Sequence, residues 1–93
     1  MKVIWTPGAL RDRESIWHYI FEENRNAAAR MDNIFRKAAD RLAINPRLGR
    51  LGVISGTREI IPHKNYKIIY EITEDAVWIL TLVHAARQWP PLD

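Results

Sequence analysis

The apolar residues in the second half of the chain are gathered in three short β-prone runs that are separated by turn residues. The runs are 56–61, 66–73 and 76–84. Pro62 lacks the N–H that a strand ladder needs, while Asn65 and Asp75 are residue types that favour tight turns. The pattern therefore predicts three antiparallel strands connected as a meander.

The middle run carries different side chains on its two faces. One face holds Tyr66, Ile68, Tyr70 and Ile72, and we expect helices to cover it. The run 76–83 is apolar on both faces, which is typical of a strand with a neighbour on each side. A fourth β-prone run at residues 2–5 is the predicted second neighbour of that strand.

The first half of the chain follows the helical period instead. Apolar side chains recur every three or four residues in 8–23 and again in 27–45. The first stripe contains Leu10, Ile16, Trp17, Ile20 and Phe21. The second contains Ala28, Met31, Ile34, Phe35, Ala38 and Leu42, of which Ile34 and Phe35 are predicted core residues. Two amphipathic helices joined by a short connection predict an antiparallel hairpin.

Capping residues set the expected ends of these helices. Thr6 precedes a proline that the first helical turn tolerates, and Asn24 or Asn26 can cap the second helix. Pro46 ends that helix, because the residue before a proline is pushed out of the α region. Residues 47–55 are predicted to form a loop. The whole chain, 1–93, is therefore predicted to be a single α+β domain with a sheet of about four strands.

Composition and charge narrow the classes of function. The chain is 47% hydrophobic and 27% charged, as expected of a folded domain. Its net charge of +3 favours an acidic partner without identifying one. The absence of cysteine excludes disulfides and thiolate chemistry and is typical of the cytoplasm. We find no membrane span, phosphate-binding loop or metal-binding motif, so neither a cofactor nor a metal is predicted.

The strands carry a family resemblance. Arg58-Glu59-Ile60-Ile61, then Asn65 to Tyr70, then Ile79 to His84 running into Ala86-Arg87-Gln88-Trp89-Pro90 resemble the toxins of the RelE/ParE superfamily of toxin–antitoxin modules. The resemblance covers nearly the whole chain. It implies a type II toxin that is neutralised by a cognate antitoxin. It also leaves two branches open, because ParE-like toxins poison DNA gyrase whereas RelE-like toxins cleave mRNA on the ribosome.

Several basic residues are candidates for binding the target or the antitoxin. Five lie at the end of the second helix and in the following loop: Arg36, Lys37, Arg41, Arg47 and Arg50. They form either an electrostatic footprint for nucleic acid or an acidic protein, or a solvated helix end that complements the helix dipole. Lys67, Arg87 and Trp89 complete the candidate set, with Trp89 either a lid on the core or an exposed anchor.

The RelE branch implies a second set of candidates. In such ribonucleases, basic residues on the strands stabilise the scissile phosphate and help to activate the ribose 2′-hydroxyl. Here Arg58, Lys64 and Lys67 could supply cations and His63 a base. The plainer alternative is that turn residues are polar because they are exposed.

The last strand ends in two further polar candidates. His84 is either an acid or base, or a hydrogen-bonded structural group. Arg87 is either functional or a partner of Glu59 or Glu71. An indole N–H does not titrate, so Trp89 cannot replace the proton-bearing group that RelE-like cleavage commonly uses near the C-terminus. We therefore predict a ParE-like toxin that binds gyrase, with a ribosome-dependent endonuclease or an inert interaction module as alternatives.

Overall fold

The computed structural model describes residues 1–91, which form two helices, a short 3-10 helix and five strands. In chain order these are β1 (Lys2–Trp5), α1 (Pro7–Glu23), α2 (Arg25–Ile44), the 3-10 helix (Pro46–Leu48), β2 (Arg50–Leu51), β3 (Thr57–His63), β4 (Tyr66–Ile72) and β5 (Ala76–His84). The predicted α+β class and the order of the helix hairpin and the meander are confirmed.

The five strands form one mixed sheet in the order β1-β5-β4-β3-β2. β1 runs parallel to β5, as its predicted neighbour, and every other pair is antiparallel. The extra strand comes from the segment that was predicted to be a loop. Arg50 and Leu51 pair with Glu59 and Arg58. Two residues are too few to leave a periodic pattern, so only the pairing with β3 makes them a strand.

Side-chain caps begin both helices. The Thr6 hydroxyl accepts the Ala9 N–H at 3.2 Å, and the Asn24 side chain accepts the Ala27 N–H at 3.0 Å. Asn24 rather than Asn26 is therefore the cap of α2. The two helices are then tied together by Arg13, whose guanidinium donates two hydrogen bonds to Asp32 at 2.6 and 3.0 Å.

The core lies between the helices and one face of the sheet. Its fully buried large side chains are Phe35, Leu42, Ile68, Tyr70, Val77 and Ile79. β4 turns the predicted face towards the helices, because Tyr66, Ile68 and Tyr70 all belong to this cluster.

Parts of the predicted helix stripes are wrong. Ile34 is only half-buried, and Leu10 and Phe21 are exposed. The only fully buried residue of α1 is Ala9, which shows that this helix packs with a narrow face and leaves much of its apolar stripe at the surface.

Candidate functional site

The cations near the end of α2 have two kinds of surroundings. Arg36 donates to Asn33 at 2.8 Å and to Asp40 at 3.3 Å, one turn away on the same helix. Lys37 and Arg41 instead line a shallow groove together with Ile34, Asp40 and Pro62. The structure therefore brings Lys37 and Arg41 together as cations on one surface, whereas Arg36 is engaged within its helix.

A buried carboxylate organises the opposite face of the sheet. Glu59 is 2% exposed, and its oxygens lie 3.3 Å from an Arg50 guanidinium nitrogen and 3.6 Å from Lys67 Nζ. The Val53 N–H donates to the same carboxylate at 3.4 Å. Arg50 and Lys67 are thus counter-ions of Glu59. Sequence reasoning missed this cluster because Arg50 was expected in a loop rather than on a strand beside β3.

Arg58 lies on the other side of the sheet from Lys67. It pairs directly with Tyr70 in the strand register, and directly paired side chains share a face. Its guanidinium donates to the Gly49 carbonyl at 2.8 Å. Lys67 is three residues before Tyr70 on β4 and therefore faces away. The structure therefore does not bring these two cations together on one face, and a phosphate contact stays a prediction for each of them.

The two strand-end histidines both support turns. His63 Nδ1 accepts the Asn65 N–H at 3.1 Å, and His84 Nδ1 accepts the Ala86 N–H at 3.1 Å. Tyr66 pairs with both histidines in the register and separates them by two strand spacings, about 10 Å. Lys64 is exposed in the turn between β3 and β4.

Arg87 does not make either of the pairs that the sequence suggested. Glu59 is occupied by Arg50 and Lys67, and none of the carboxylates of residues 1–91 lies within ion-pair distance of Arg87. Instead, Arg87 lines a cleft of about 460 Å³ between α1 and the end of β5, which we call the α1–β5 cleft. Its lining residues are Asp12, Ser15, Ile16, Tyr19, Tyr66, Leu82, His84 and Arg87.

The α1–β5 cleft exists because β1 stops early. β1 pairs with β5 only as far as Ile79, so the end of β5 continues past it. In that unpaired part of β5, the Asp12 carboxylate of α1 takes the place of a strand partner. It accepts the Leu82 N–H at 3.1 Å and the Thr81 hydroxyl at 2.6 Å. The spacing of Asp12, Ser15 and Tyr19 on α1 was the signal that could have predicted a shared helix face here.

An aromatic pair forms the inner wall of the cleft. Tyr66 is buried and packs edge-on against the His84 ring, with 5.2 Å between centroids. Burial raises the pKa of the Tyr66 phenol, and the neighbouring Tyr19 raises it further. The Tyr66 hydroxyl therefore stays protonated at neutral pH and offers a hydrogen-bond donor.

Trp89 is half-buried rather than free in water. Its indole Nε1 is buried and has no hydrogen-bond partner among residues 1–91. The half-buried side chain agrees with the alternative in which Trp89 covers part of the core. A role in binding a partner stays a prediction.

Within 1–91, no group of three or more histidine, aspartate and glutamate side chains is placed to hold a metal ion. None of the helices described is long and apolar enough to cross a membrane.

Comparison with known proteins identifies the family. A family model described as the ParE toxin of the type II toxin–antitoxin system, parDE, matches residues 3–89. The chain belongs to the ParE toxin family. It is therefore the toxin of a type II toxin–antitoxin system and has a cognate antitoxin as its partner, as the strand resemblance implied.

Individual relatives agree with this family. This chain is 42% identical over 90 residues to the Y4kP protein of Sinorhizobium fredii, covering 96% of this chain and 93% of that one. Toxin RelE2 of Caulobacter vibrioides is 38% identical over 86 residues, covering 92% and 97%. A solved chain of the chromosomal ParDE system from P. aeruginosa superposes with a TM-score of 0.77 at 19% identity, covering 90% and 95%, and so shares the fold.

Proposed function

We propose that this toxin acts by binding DNA gyrase and not by cutting mRNA. The observation that carries the proposal is the dispersal of the candidate ribonuclease groups. Arg58 and Lys67 lie on opposite faces of the sheet, and Lys67 is already neutralised by Glu59. His63 and His84 are separated by a strand, and each holds its own turn.

Ribonuclease chemistry needs these groups to converge. A base must reach the ribose 2′-hydroxyl, cations must contact the phosphate oxygens, and an acid must reach the leaving 5′-oxygen, all within hydrogen-bond distance of one phosphate. Two cations on opposite faces of a sheet cannot meet around one phosphate without refolding. This arrangement favours toxicity by binding a protein over toxicity by catalysis.

The surface available for such binding is basic. Arg87 has no ion-pair partner among the described carboxylates, and Arg47 is exposed. Lys37 and Arg41 line the groove along α2. We place Arg87, Arg47 and the α2 groove in the gyrase contact, because uncompensated cations favour association with an acidic protein surface.

Two observations favour the alternative of RelE-like cleavage. His84, Arg87, Tyr19 and Tyr66 do converge around the α1–β5 cleft, where they could supply a proton donor and one cation. In addition, a relative at 38% identity carries the name RelE2. This second candidate function would need a general base at the cleft. Among residues 1–91, the one carboxylate that lines it, Asp12, already accepts two hydrogen bonds.

A two-target assay separates these functions. Purified toxin is added to gyrase with supercoiled plasmid and, separately, to translating ribosomes. We expect trapped, cleaved plasmid and intact mRNA. Arg87→Gln should weaken the gyrase effect. Arg30→Gln, which changes an exposed arginine on α2 and away from the α1–β5 cleft, should not. Codon-positioned mRNA cuts that vanish in His84→Ala or Lys64→Ala would overturn the proposal in favour of the RelE-like function.

A further inference from the structure

The α1–β5 cleft is rich in hydrogen-bond donors around an apolar floor. The floor is formed by Leu82 and Tyr66, both buried, with half-buried Ile16 beside them. A cleft of about 460 Å³ is large enough for one long side chain and its neighbours but not for a folded element. The ligand must therefore combine apolar carbon with a polar end.

The donors indicate the charge of that polar end. His84 Nδ1 accepts the Ala86 N–H, so the neutral ring carries its proton on Nε2, which remains available as a donor. Arg87 contributes a guanidinium that has no counter-ion among the carboxylates of residues 1–91. Tyr66 offers a protonated hydroxyl. Three donor side chains, one of them a cation, favour an anionic ligand.

The Asp12 carboxylate limits the negative charge that a ligand of the cleft can carry. Asp12 is also part of the lining, although its carboxylate is turned to the Thr81 hydroxyl and the Leu82 N–H. Because the described part of the chain contributes one cation and one anion to the lining, a singly charged carboxylate is tolerated better than a phosphate, which carries more charge and would lie near Asp12.

We propose that the α1–β5 cleft receives one glutamate or aspartate side chain of the antitoxin, with Arg87 as its counter-ion and His84 Nε2–H as a second donor. The inference rests on the antitoxin partnership of the family and not on the gyrase target. It also gives a route to neutralisation, because an antitoxin carboxylate on Arg87 removes the cation that we place in the gyrase contact.

The test measures antitoxin affinity in the absence of gyrase, so that its outcome is independent of the proposed target. The antitoxin that copurifies with the toxin is titrated with Arg87→Gln and with the control Arg30→Gln. Each antitoxin glutamate or aspartate is then changed to its amide and combined with Arg87→Gln. We expect Arg87→Gln to weaken binding about tenfold, and one antitoxin carboxylate to show no additional loss in combination with it.

A pair of histidine variants separates binding from folding. In His84→Asn the amide oxygen can replace Nδ1 as the acceptor for Ala86, but no donor replaces Nε2–H; in His84→Gln the amide extends to the Nε2 position instead. We expect His84→Asn to retain the melting temperature and to lose antitoxin affinity, whereas His84→Gln should retain the affinity better.

Two results would overturn the inference. One is an equal loss for Arg87→Gln and Arg30→Gln with no antitoxin carboxylate coupled to Arg87, which would mean that only general charge attraction acts. The other is saturable binding of 5′-AMP in the cleft, seen as shifts of the Tyr66 and His84 resonances that the bound antitoxin does not block. That result would assign the cleft to a nucleotide phosphate.

Discussion

The Tyr70 hydroxyl accepts the N–H of Gly49 at 2.8 Å, across the buried end of the sheet. The same hydroxyl donates to the Pro46 carbonyl at 2.7 Å. One phenol thus fastens the chain between α2 and β2 to the middle of the core. The position of β2, and with it the Arg50–Glu59–Lys67 cluster, depends on this contact.

Removing that hydroxyl should be costly. We expect Tyr70→Phe to lower the free energy of unfolding by about 1–3 kcal/mol, because the buried Gly49 N–H and the Pro46 carbonyl each lose a partner. Tyr19→Phe is the matched control, since that side chain is 73% exposed, and it should change stability by less than about 0.5 kcal/mol. Urea denaturation of both variants measures the difference, and equal midpoints would contradict the prediction.

Alkaline pH should unfold the protein through the same group. Burial raises the pKa of Tyr70, against smaller lowering effects of the Gly49 hydrogen bond and of Arg58, and burial also raises the pKa of Tyr66. The neutral phenols are favoured in the folded state. Their contribution is therefore complete below the unfolded pKa of about 10 and is lost as pH rises through the folded pKa.

Unfolding measured between about pH 9 and 12 tests this linkage. The free energy of unfolding of the wild type should fall steeply above about pH 10, by up to 1.36 kcal/mol per pH unit for each phenol. Tyr70→Phe should reduce the slope, and the double variant with Tyr66→Phe should reduce it further. A double variant with the wild-type slope would show that other groups cause the alkaline loss.

Gly49 should not tolerate a side chain. A Cβ at this position would lie 2.7 Å from both the Glu59 carbonyl oxygen and the Tyr70 hydroxyl, and 2.8 Å from Ile60 Cγ2. We expect Gly49→Ala to destabilise the fold by about 1–3 kcal/mol through overpacking. Gly8→Ala is the control, because its Cβ would meet no atom closer than 3.7 Å. Comparable melting temperatures for the two variants would exclude this steric argument.

Adjacent residues of α2 should respond very differently to truncation. Phe35 is buried and meets Tyr66 edge-on at 5.7 Å, so Phe35→Ala should cost about 3–5 kcal/mol. Ile34 is half-buried at the groove, and Ile34→Ala should cost about 1 kcal/mol. Thermal melts of the two variants distinguish them. Similar losses would mean that both side chains are core residues, as the helical stripe suggested.

Glu59 should be needed to hold the two cations of its cluster. We expect Glu59→Gln to cost about 2–4 kcal/mol, because Lys67, whose side chain is 15% exposed, would lose its counter-ion while remaining largely buried. Glu71→Gln on the neighbouring strand is the control, since Glu71 is exposed, and it should be nearly neutral. A neutral Glu59→Gln would mean that Lys67 reaches water without its partner.

Local patterns along the chain were sufficient to predict both helices, the strands β1, β3, β4 and β5, and most of their buried faces. Helical and strand periods are local properties, so the spacing of Ala38 and Leu42, or of Ile68 and Tyr70, was enough to predict which sides are buried. The resemblance in the β3 to β5 residues likewise pointed to the toxin family that the comparison confirmed.

Contacts between residues that are far apart in the chain could not be predicted in this way. Arg50 reaches Glu59 because a two-residue strand adds to the sheet edge. Asp12 reaches Leu82 because β1 ends at Trp5 and α1, which follows after Thr6, packs against β5. Such contacts depend on strand register and helix placement, which are set by packing across the whole domain and leave no local periodic signal. The α1–β5 cleft and the separation of Arg58 from Lys67 arise in the same way.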